Sequence, residues 1–265
     1  MTTYPISASR LQSYHRCPQE YYFRYERRVP AQAFFGSQSL GHALHAALAT
    51  IHRDWHYTRP RPEWQWLVEC WQQASQRLPE NLVVEGQRIL RRYFDTFIAT
   101  RSTLHRPVGV ESRIQGRLQV ENIEFSLTGR YDRLDWLDDG LELIDYKSNR
   151  EIVQREPAET DLQLGLYYLA LEQHYGASLK RLSFIYLRQA KVVSFDVTPE
   201  HRDRVEATIA DLALRLRQDR EWPAQTGQQC DRCSYARYCD RICDSPEPLP
   251  EMPQRKSQLQ LVLGL

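Results

Sequence analysis

Two aspartates and a lysine near the middle of the chain have residue types and spacing that suit binding of a divalent cation. Asp132 ends the run GRYD, and Asp145 and Lys147 lie in the run IDYK. Both runs mix apolar, aromatic and polar residues, which is typical of half-buried strands. Because residues two apart on a strand share a face, we expect Asp145 and Lys147 to lie side by side.

A tight turn between the two runs would bring these residues together. The segment Asp138–Gly140 has the residue types of a hairpin turn. If the two aspartates are central in the turn, Asp132 faces Asp145. If the second aspartate and the glycine are central, Asp132 faces Lys147. Either register places the three side chains on neighbouring positions.

Such a pair of carboxylates is unfavourable without a positive partner. At a separation of roughly 5 Å the two charges repel by about 3 kcal/mol at an effective dielectric near 20. A divalent cation turns this repulsion into attraction, and oxygen ligands favour Mg²⁺ or Mn²⁺. Lys147 would then bind a phosphate oxygen or help to deprotonate an attacking water. The alternative is a surface hairpin whose acids point into solvent.

Two further segments carry candidates for the same site. His45 ends the run GHALH on a predicted helix, where an ordinary core or surface histidine is the alternative. Gln163 and Tyr167 are four residues apart on the helix that follows the hairpin, so they share a face. A solvated glutamine beside a half-buried tyrosine is the alternative there.

The C-terminal cysteines form the strongest single motif. Three of them lie within ten residues, after Trp222-Pro223: Cys230, Cys233 and Cys239. Such a cluster in a polar loop indicates a metal site, since no secretory segment suggests a disulfide framework. Cys243 would complete a local zinc site, whereas Cys17 would complete an iron–sulfur site. Free thiols are the third alternative, and Cys70 is predicted to lie in the core.

Composition limits the class of protein. The chain has 265 residues, of which 42% are hydrophobic and 11% aromatic, which excludes a disordered chain. The net charge of +1 gives no overall signal for nucleic acid. No apolar run approaches the roughly 20 residues of a membrane span, so we expect a cytoplasmic protein without membrane contact. No P-loop string occurs, so we expect no ATP site in this chain.

The pattern of elements predicts an α/β fold with a mixed sheet flanked by helices. The first helix is predicted to begin at Ser7 or Ser9, to break at Cys17-Pro18 and to resume after it. We expect one domain over 1–243, followed by a proline-rich tail with an apolar end at 244–265. The expected parts of this domain are a mainly helical region, an α/β core and a cysteine-rich segment: 1–104, 105–220 and 221–243.

In combination, these motifs resemble the RecB-type branch of the PD-(D/E)xK nuclease superfamily. The resemblance is to CRISPR-associated adaptation nucleases and to the iron–sulfur nuclease domains of bacterial recombination enzymes. It covers about Ile6 to Cys239 and depends on the order and intervals of several short strings. These strings are SASRLQSYHRCPQEYYFRY, GxxxH, GRYD, IDYK, QxxxY, and WPA followed by CxxCx5C.

The resemblance implies a restriction-endonuclease-like fold and a role for each motif. His45, Asp132, Asp145 and the backbone carbonyl of Tyr146 would hold Mg²⁺ or Mn²⁺, with Lys147 as the catalytic lysine. Gln163 and Tyr167 would line the strand-binding side. A [4Fe–4S] cluster would be held by four thiols: Cys17, Cys230, Cys233 and Cys239. Glu111 is an additional candidate, through a second metal or a basic partner.

Two departures from the family pattern stand out. Asp132 follows Tyr131 where an aliphatic residue or proline is usual, and Cys243 is an extra thiol that keeps the Zn²⁺ alternative open. The implied activity is metal-dependent hydrolysis of DNA, as single strands or at duplex ends, in repair or recombination. A CRISPR-adaptation nuclease is one alternative. A DNA-binding accessory subunit without catalysis is another, and a separate helicase or CRISPR-adaptation partner fits either.

Overall fold

The computed structural model describes residues 3–31, 37–152 and 161–251. The chain divides into two compact units. One comprises Met1–Gln12 and Phe34–Gln218, and the other comprises Ser13–Ala33 and Asp219–Leu265. The apolar end of the predicted tail lies outside the described residues.

The first unit contains a mixed sheet, as the pattern of elements predicts. Within the described ranges its strands are β1 (Tyr4–Ser7), β2 (Gly109–Val120), β3 (Ile123–Trp136), β4 (Leu141–Lys147), β5 (Leu179–Tyr186) and β6 (Lys191–Asp196). The α-helices of the described residues are α1 (Ala8–Arg16), α2 (Pro18–Tyr21), α3 (Ser37–Arg53), α4 (Trp64–Ala74), α5 (Glu80–Tyr93), α6 (Leu162–Tyr175) and α7 (Pro199–Gln218). Helices α2 and α5 each continue into a π-helical turn, Tyr22–Glu26 and Phe94–Ile98. The predicted α/β class is confirmed, and so is the helix break at Cys17.

The N-terminal strand β1 was not predicted. It precedes the first helix and pairs in parallel with β3, from Tyr4 opposite Phe125 to Ser7 opposite Thr128. Four residues that include a proline are too few to show the alternation that marks a strand. The pairing with β3 therefore comes from long-range contacts rather than from a local pattern.

Strand β3 is the centre of the sheet and has different neighbours along its length. Antiparallel β2 pairs with it from Gly109 to Val120. The opposite edge of β3 is shared, because β1 occupies 125–128 and β4 occupies 133–136. On this edge the stretch 129–132 has no ladder partner among the described strands. We call this gap, where β4 leaves β3 and continues beside β5, the fork.

The structure of the β3–β4 hairpin shows which of the two possible registers is present. Trp136 pairs with Leu141, and the Leu137 N–H donates to the Gly140 carbonyl at 2.8 Å. Asp138 and Asp139 are therefore the central residues of the turn. This is the register in which Asp132 is opposite Asp145.

Helices cover β4 on both faces. Ile144 and Tyr146 belong to the main core, which they share with apolar residues of α3, α4 and α5. Helix α6 lies on the other side, where Gln163 contacts Asp145 and Lys147. Helix α7 packs on α6, which explains why α6 is apolar around most of its circumference. None of the helices in the described ranges has the length and apolar character of a membrane span.

The second unit has a small aromatic core of its own. Phe23, Val29 and Tyr235 are buried together. Trp222 stacks on Tyr21 with ring centroids 5.4 Å apart. These aromatic contacts hold the N-terminal segment 13–33 against the C-terminal segment that carries the clustered cysteines.

Candidate functional site

Asp132 lies at the fork, where its side chain takes the place of a backbone hydrogen-bond acceptor. Its Oδ2 accepts the backbone N–H of Tyr146 at 2.7 Å. Its Oδ1 lies 3.1 Å from Nδ1 of His45. The carboxylate therefore joins β3 to β4 and to α3, at a point where the strands no longer pair directly.

His45 reaches this carboxylate from α3. The apolar side of that helix, including Leu44 and Leu48, is fully buried, which fixes the helix beside the sheet. The His45 ring also meets the Tyr146 ring edge-on at 5.9 Å. Burial alone would lower the pKa of His45. The hydrogen bond with Asp132 and the other nearby carboxylates outweigh burial and raise it.

Asp145, Lys147 and Gln163 form a compact group on the α6 side of β4. The Lys147 ammonium lies 2.7 Å from Oδ2 of Asp145 and donates to Oε1 of Gln163 at 3.1 Å. The Gln163 amide donates in turn to Oδ1 of Asp145. Asp161 caps α6 by accepting the backbone N–H groups of Gln163 and Leu164, which fixes the start of the helix and the place of this glutamine.

Asp145 is the most buried carboxylate of the site, with 2% of the residue exposed. Burial raises its pKa to about 6, although the charge of Lys147 acts in the opposite direction. The ion pair between Oδ2 and the Lys147 ammonium, at 2.7 Å, offsets part of the cost of burying this carboxylate.

Glu111 joins the site through an unusual backbone conformation. Its φ of 48° lies in the left-handed region, which is costly for a residue with a side chain. The β2–β3 pairing is regular on both sides of Glu111 but omits it. Ligand atoms of His45, Glu111 and Asp132 lie within 4.8 Å of one another. The structure thus groups Glu111 with His45 and Asp132, whereas Asp145 lies in the neighbouring group with Lys147 and Gln163.

Tyr167 lies one turn after Gln163 on α6, and its ring packs on Gly129, the glycine of GRYD. A Cβ at Gly129 would be 2.5 Å from Cε1 of Tyr167, which is far too close. The glycine therefore allows α6 to approach β3 at the edge of the site. Burial, with a smaller contribution from Asp145, raises the pKa of Tyr167 to about 12. The phenol consequently remains a hydrogen-bond donor at neutral pH.

The residues at the fork fit a divalent cation. Carboxylate oxygens with one imidazole suit Mg²⁺ and, still better, Mn²⁺. The donor set of His45, Glu111 and Asp132, whose ligand atoms lie within 4.8 Å of one another, is the observation that supports this fit. A cation would also reduce the repulsion of Asp132 with Glu111 and with Asp145.

The clustered cysteines lie in the second unit. Four of the thiols line one small cavity: Cys17, Cys230, Cys233 and Cys239. Cys243 is not among its lining residues, and all six cysteines of the chain are free thiols. The backbone N–H of Gln225 donates to Sγ of Cys17 at 3.4 Å. Cys17 reaches the cavity because it lies at the break between α1 and α2, just before Pro18.

The remaining cysteine lies in the core, as its position in a tryptophan-rich helix predicts. Cys70 is 2% exposed and lies in the same core cluster as Leu67 and Trp71. Burial raises the pKa of its thiol to about 12, so it is a poor ligand and nucleophile.

Sequence reasoning missed one charged residue next to the site. Arg133 follows Asp132 and is buried among polar groups of His52, Tyr93 and Tyr146. Arginine is rarely buried, so a single sequence favours a solvent position for it. The sequence signal that could have indicated burial was the position of Arg133 between two residues of a predicted core strand.

Comparison with known proteins places the chain in a family. A family model described as the PD-(D/E)XK nuclease superfamily matches residues 5–240. No curated protein matches the chain. A chain from the crystal structure of SSO0001 is similar, with 14% sequence identity and a TM-score of 0.45, over 92% of this chain and 89% of that one. Because the family model covers most of the sequence, this protein belongs to the PD-(D/E)XK nuclease superfamily, which implies metal-dependent hydrolysis of phosphodiester bonds in nucleic acids.

Proposed function

We propose that this chain is a divalent-metal-dependent deoxyribonuclease that cleaves single-stranded DNA or DNA ends. The observation that supports the proposal best is the pairing of Lys147 with buried Asp145 beside Asp132 at the fork. This is the geometry in which a lysine and two carboxylates can act on one phosphate. The choice of DNA follows from the resemblance of the motifs to the RecB-type branch.

The proposed metal ligands are His45, Asp132, Asp145 and the carbonyl of Tyr146, with Mg²⁺ or Mn²⁺ as the ion. A bound ion supplies Lewis-acid stabilisation of charge on the phosphate and a nucleophile at neutral pH. Glu111 stands beside His45 and Asp132 and is the additional carboxylate of this ligand set.

The remaining residues of the proposed site orient the substrate and offset its negative charge. The pKa of Lys147 is raised, because the charge and hydrogen bond of Asp145 outweigh the opposing effect of burial. Lys147 therefore stays a cation at neutral pH. Its ammonium is placed to bind a phosphate oxygen and to offset the charge that develops there. Gln163 holds the ammonium by accepting one of its hydrogens. Tyr167 offers a phenolic donor on the same helix face.

We further propose that four thiols hold a [4Fe–4S] cluster: Cys17, Cys230, Cys233 and Cys239. The cavity that these four line, without Cys243, favours this set over the local zinc completion. Such a cluster would join the N-terminal and C-terminal segments of the second unit, and so would add to its stability.

The pathway that we propose is DNA repair or recombination, with CRISPR adaptation as the alternative. The sequence has no P-loop string, so unwinding would fall to a separate helicase partner. The rival from another class is an accessory subunit that binds DNA without cutting it. The Asp145–Lys147–Gln163 group favours the enzyme, because a binding role alone does not require a buried carboxylate paired with a lysine beside a second carboxylate.

Digestion of end-labelled oligonucleotides tests the proposal. Purified protein is incubated with single-stranded DNA, duplex DNA or RNA, in Mg²⁺, in Mn²⁺ or in EDTA. We expect metal-dependent cleavage of DNA, and loss of cleavage with retained binding in the Lys147→Ala and Asp145→Asn variants. Matched controls are Lys180→Ala and Asp196→Asn, which change exposed residues on β5 and β6.

Each outcome has a distinct meaning. Cleavage that both site variants retain would exclude Asp145 and Lys147 from catalysis. DNA binding without cleavage, in every metal tested, would support the accessory subunit instead. Cleavage of RNA in preference to DNA would reject the deoxyribonuclease but keep the metal-dependent site.

A further inference from the structure

Arg133 is almost completely enclosed although it carries a charge. Its side chain is 7% exposed, and its single Nη1 lies 2.6 Å from Nε2 of His52. The same nitrogen lies 2.8 Å from the hydroxyl of Tyr93 and 2.6 Å from the hydroxyl of Tyr146. These partners belong to α3, α5 and β4, so one guanidinium contacts three separate elements.

The position of the guanidinium defines the protonation of His52. Nη1 of Arg133 can only donate, and it faces three acceptors: Nε2 of His52 and the hydroxyls of Tyr93 and Tyr146. The Tyr93 hydroxyl also lies 2.7 Å from Nε2 of His52. Because Nε2 faces a donor, it must accept, so His52 is neutral with its hydrogen on Nδ1. Burial, together with the nearby charge of Arg133, holds the pKa of His52 well below its usual value, which agrees with this assignment.

An ion pair with Asp135 balances the positive charge of Arg133. Its Nε lies 2.9 Å from Oδ1 of Asp135, and its guanidinium carbon lies 5.6 Å from the centre of the Tyr146 ring. Burying such a pair removes the hydration of both charges, so an apolar side chain would serve packing at least as well. The arrangement instead specifies where its neighbours must lie.

Those neighbours are the ones that carry the proposed metal ligands. Tyr146 lies between Asp145 and Lys147, and its N–H donates to Asp132. Contacts that hold its phenol therefore also restrain the peptide that donates to Asp132. His52 is two helical turns after His45 on α3, so the contact of His52 with Arg133 also sets the distance of His45 from the sheet.

We propose that Arg133 is a positioning residue for the metal site. By holding the phenols of Tyr146 and Tyr93 and the ring of His52, it fixes the Tyr146 peptide and the helix that carries His45. The inference rests on the proposed function, since it concerns the same metal site. It assigns a role to a residue that touches neither the metal nor the substrate.

The test is the affinity of the purified protein for Mn²⁺, measured by calorimetric titration. Tyr146→Phe removes the oxygen that Arg133 binds but keeps the ring and the peptide. We expect roughly 10- to 100-fold weaker Mn²⁺ binding, as for other partners that orient metal ligands. Saturating Mn²⁺ should restore most of kcat with little change in KM for DNA, because the reacting groups are all still present.

A matched control removes a different buried phenol. Tyr168 is 3% exposed and donates to Glu172 on α6, away from the metal ligands. Tyr168→Phe should bind Mn²⁺ as tightly as the wild type. Arg133→Lys keeps the charge but cannot reach both hydroxyls, so we expect it to weaken Mn²⁺ binding as well.

The outcomes separate this inference from the proposed function. Wild-type affinity in both Tyr146→Phe and Arg133→Lys would overturn the positioning role alone. Wild-type protein that binds no Mn²⁺, or an Asp145→Asn variant that binds it unchanged, would overturn the metal site and this inference together. If Tyr146→Phe fails to fold by circular dichroism, Tyr93→Phe replaces it: weaker Mn²⁺ binding supports the role, and unchanged binding rejects it.

Discussion

The carboxylate of Asp132 accepts the backbone N–H of Tyr146 at 2.7 Å, where the ladder between β3 and β4 has ended. One side chain thus has two tasks. It satisfies a backbone donor of the neighbouring strand, and it presents its second oxygen to His45. The separation of the strands leaves room for side chains from α3 and from α6 around the same point.

The two tasks of Asp132 can be separated by substitution. Asp132→Asn keeps an acceptor for the Tyr146 N–H, whereas Asp132→Ala leaves that donor unpaired. We expect both variants to lose cleavage, and only the alanine variant to lose about 1–3 kcal/mol in free energy of unfolding. Urea denaturation without metal measures the difference, and equal stability of the two variants would show that the hydrogen bond adds nothing.

Gln163 should act on catalysis more than on stability. Gln163→Leu keeps the size of the side chain but removes the bonds to Lys147 and Asp145. The Lys147 ammonium then loses a hydrogen-bond acceptor that orients it. We therefore expect kcat to fall by about 10- to 100-fold with a smaller change in KM. Gln173→Leu, further along α6, is the control and should retain kcat. A Gln163→Leu enzyme with wild-type kcat would remove this residue from the site.

Gly129 should not tolerate a side chain. A Cβ there would be 2.5 Å from the Tyr167 ring, which is itself buried and held between α6 and β3. We expect Gly129→Ala to destabilise the protein by about 1–3 kcal/mol. Adding Tyr167→Leu should relieve part of this cost, so the two effects will not be additive in a double-mutant cycle. Strict additivity in thermal unfolding would contradict the contact.

His52 should make the fold sensitive to acid. Its pKa is well below the usual value in the folded protein, so the unfolded chain binds more protons below about pH 6.5. The contribution of His52 to the free energy of unfolding should therefore be fully retained above that pH and fall as pH drops below it, by up to about 1.4 kcal/mol per unit. Urea titrations between pH 5 and 8 measure this slope. His52→Gln should flatten it, and a change in exposed His15 to Gln should not.

The cysteine variants distinguish the two proposed metal sites. Under the iron–sulfur assignment, anaerobically purified protein should absorb at about 400 nm, and Cys17→Ser should abolish that band. Cys243→Ser should keep it, because Cys243 does not line the cavity. A colourless wild type that contains zinc, lost in Cys243→Ser, would favour the local zinc site instead.

The sequence by itself determined most of the elements, though not β1, and the faces on which their side chains lie. Period-two and helical spacing predicted the hairpin, the shared face of Asp145 and Lys147, and the shared face of Gln163 and Tyr167. These relationships depend on chain geometry over a few residues, so a single sequence contains them. The order of the motifs predicted the PD-(D/E)XK nuclease superfamily, which the match over residues 5–240 confirms.

Tertiary structure decided everything that depends on contacts between distant segments. It chose the register with Asp132 opposite Asp145, because the turn closes around Asp138 and Asp139. It brought Glu111 to His45 and Asp132 through a left-handed backbone, which no spacing rule predicts. The burial of Arg133 could not be predicted from the sequence either. The local pattern fixes the direction of its side chain, but only the packing of α3, α5 and β4 determines that this side chain is buried.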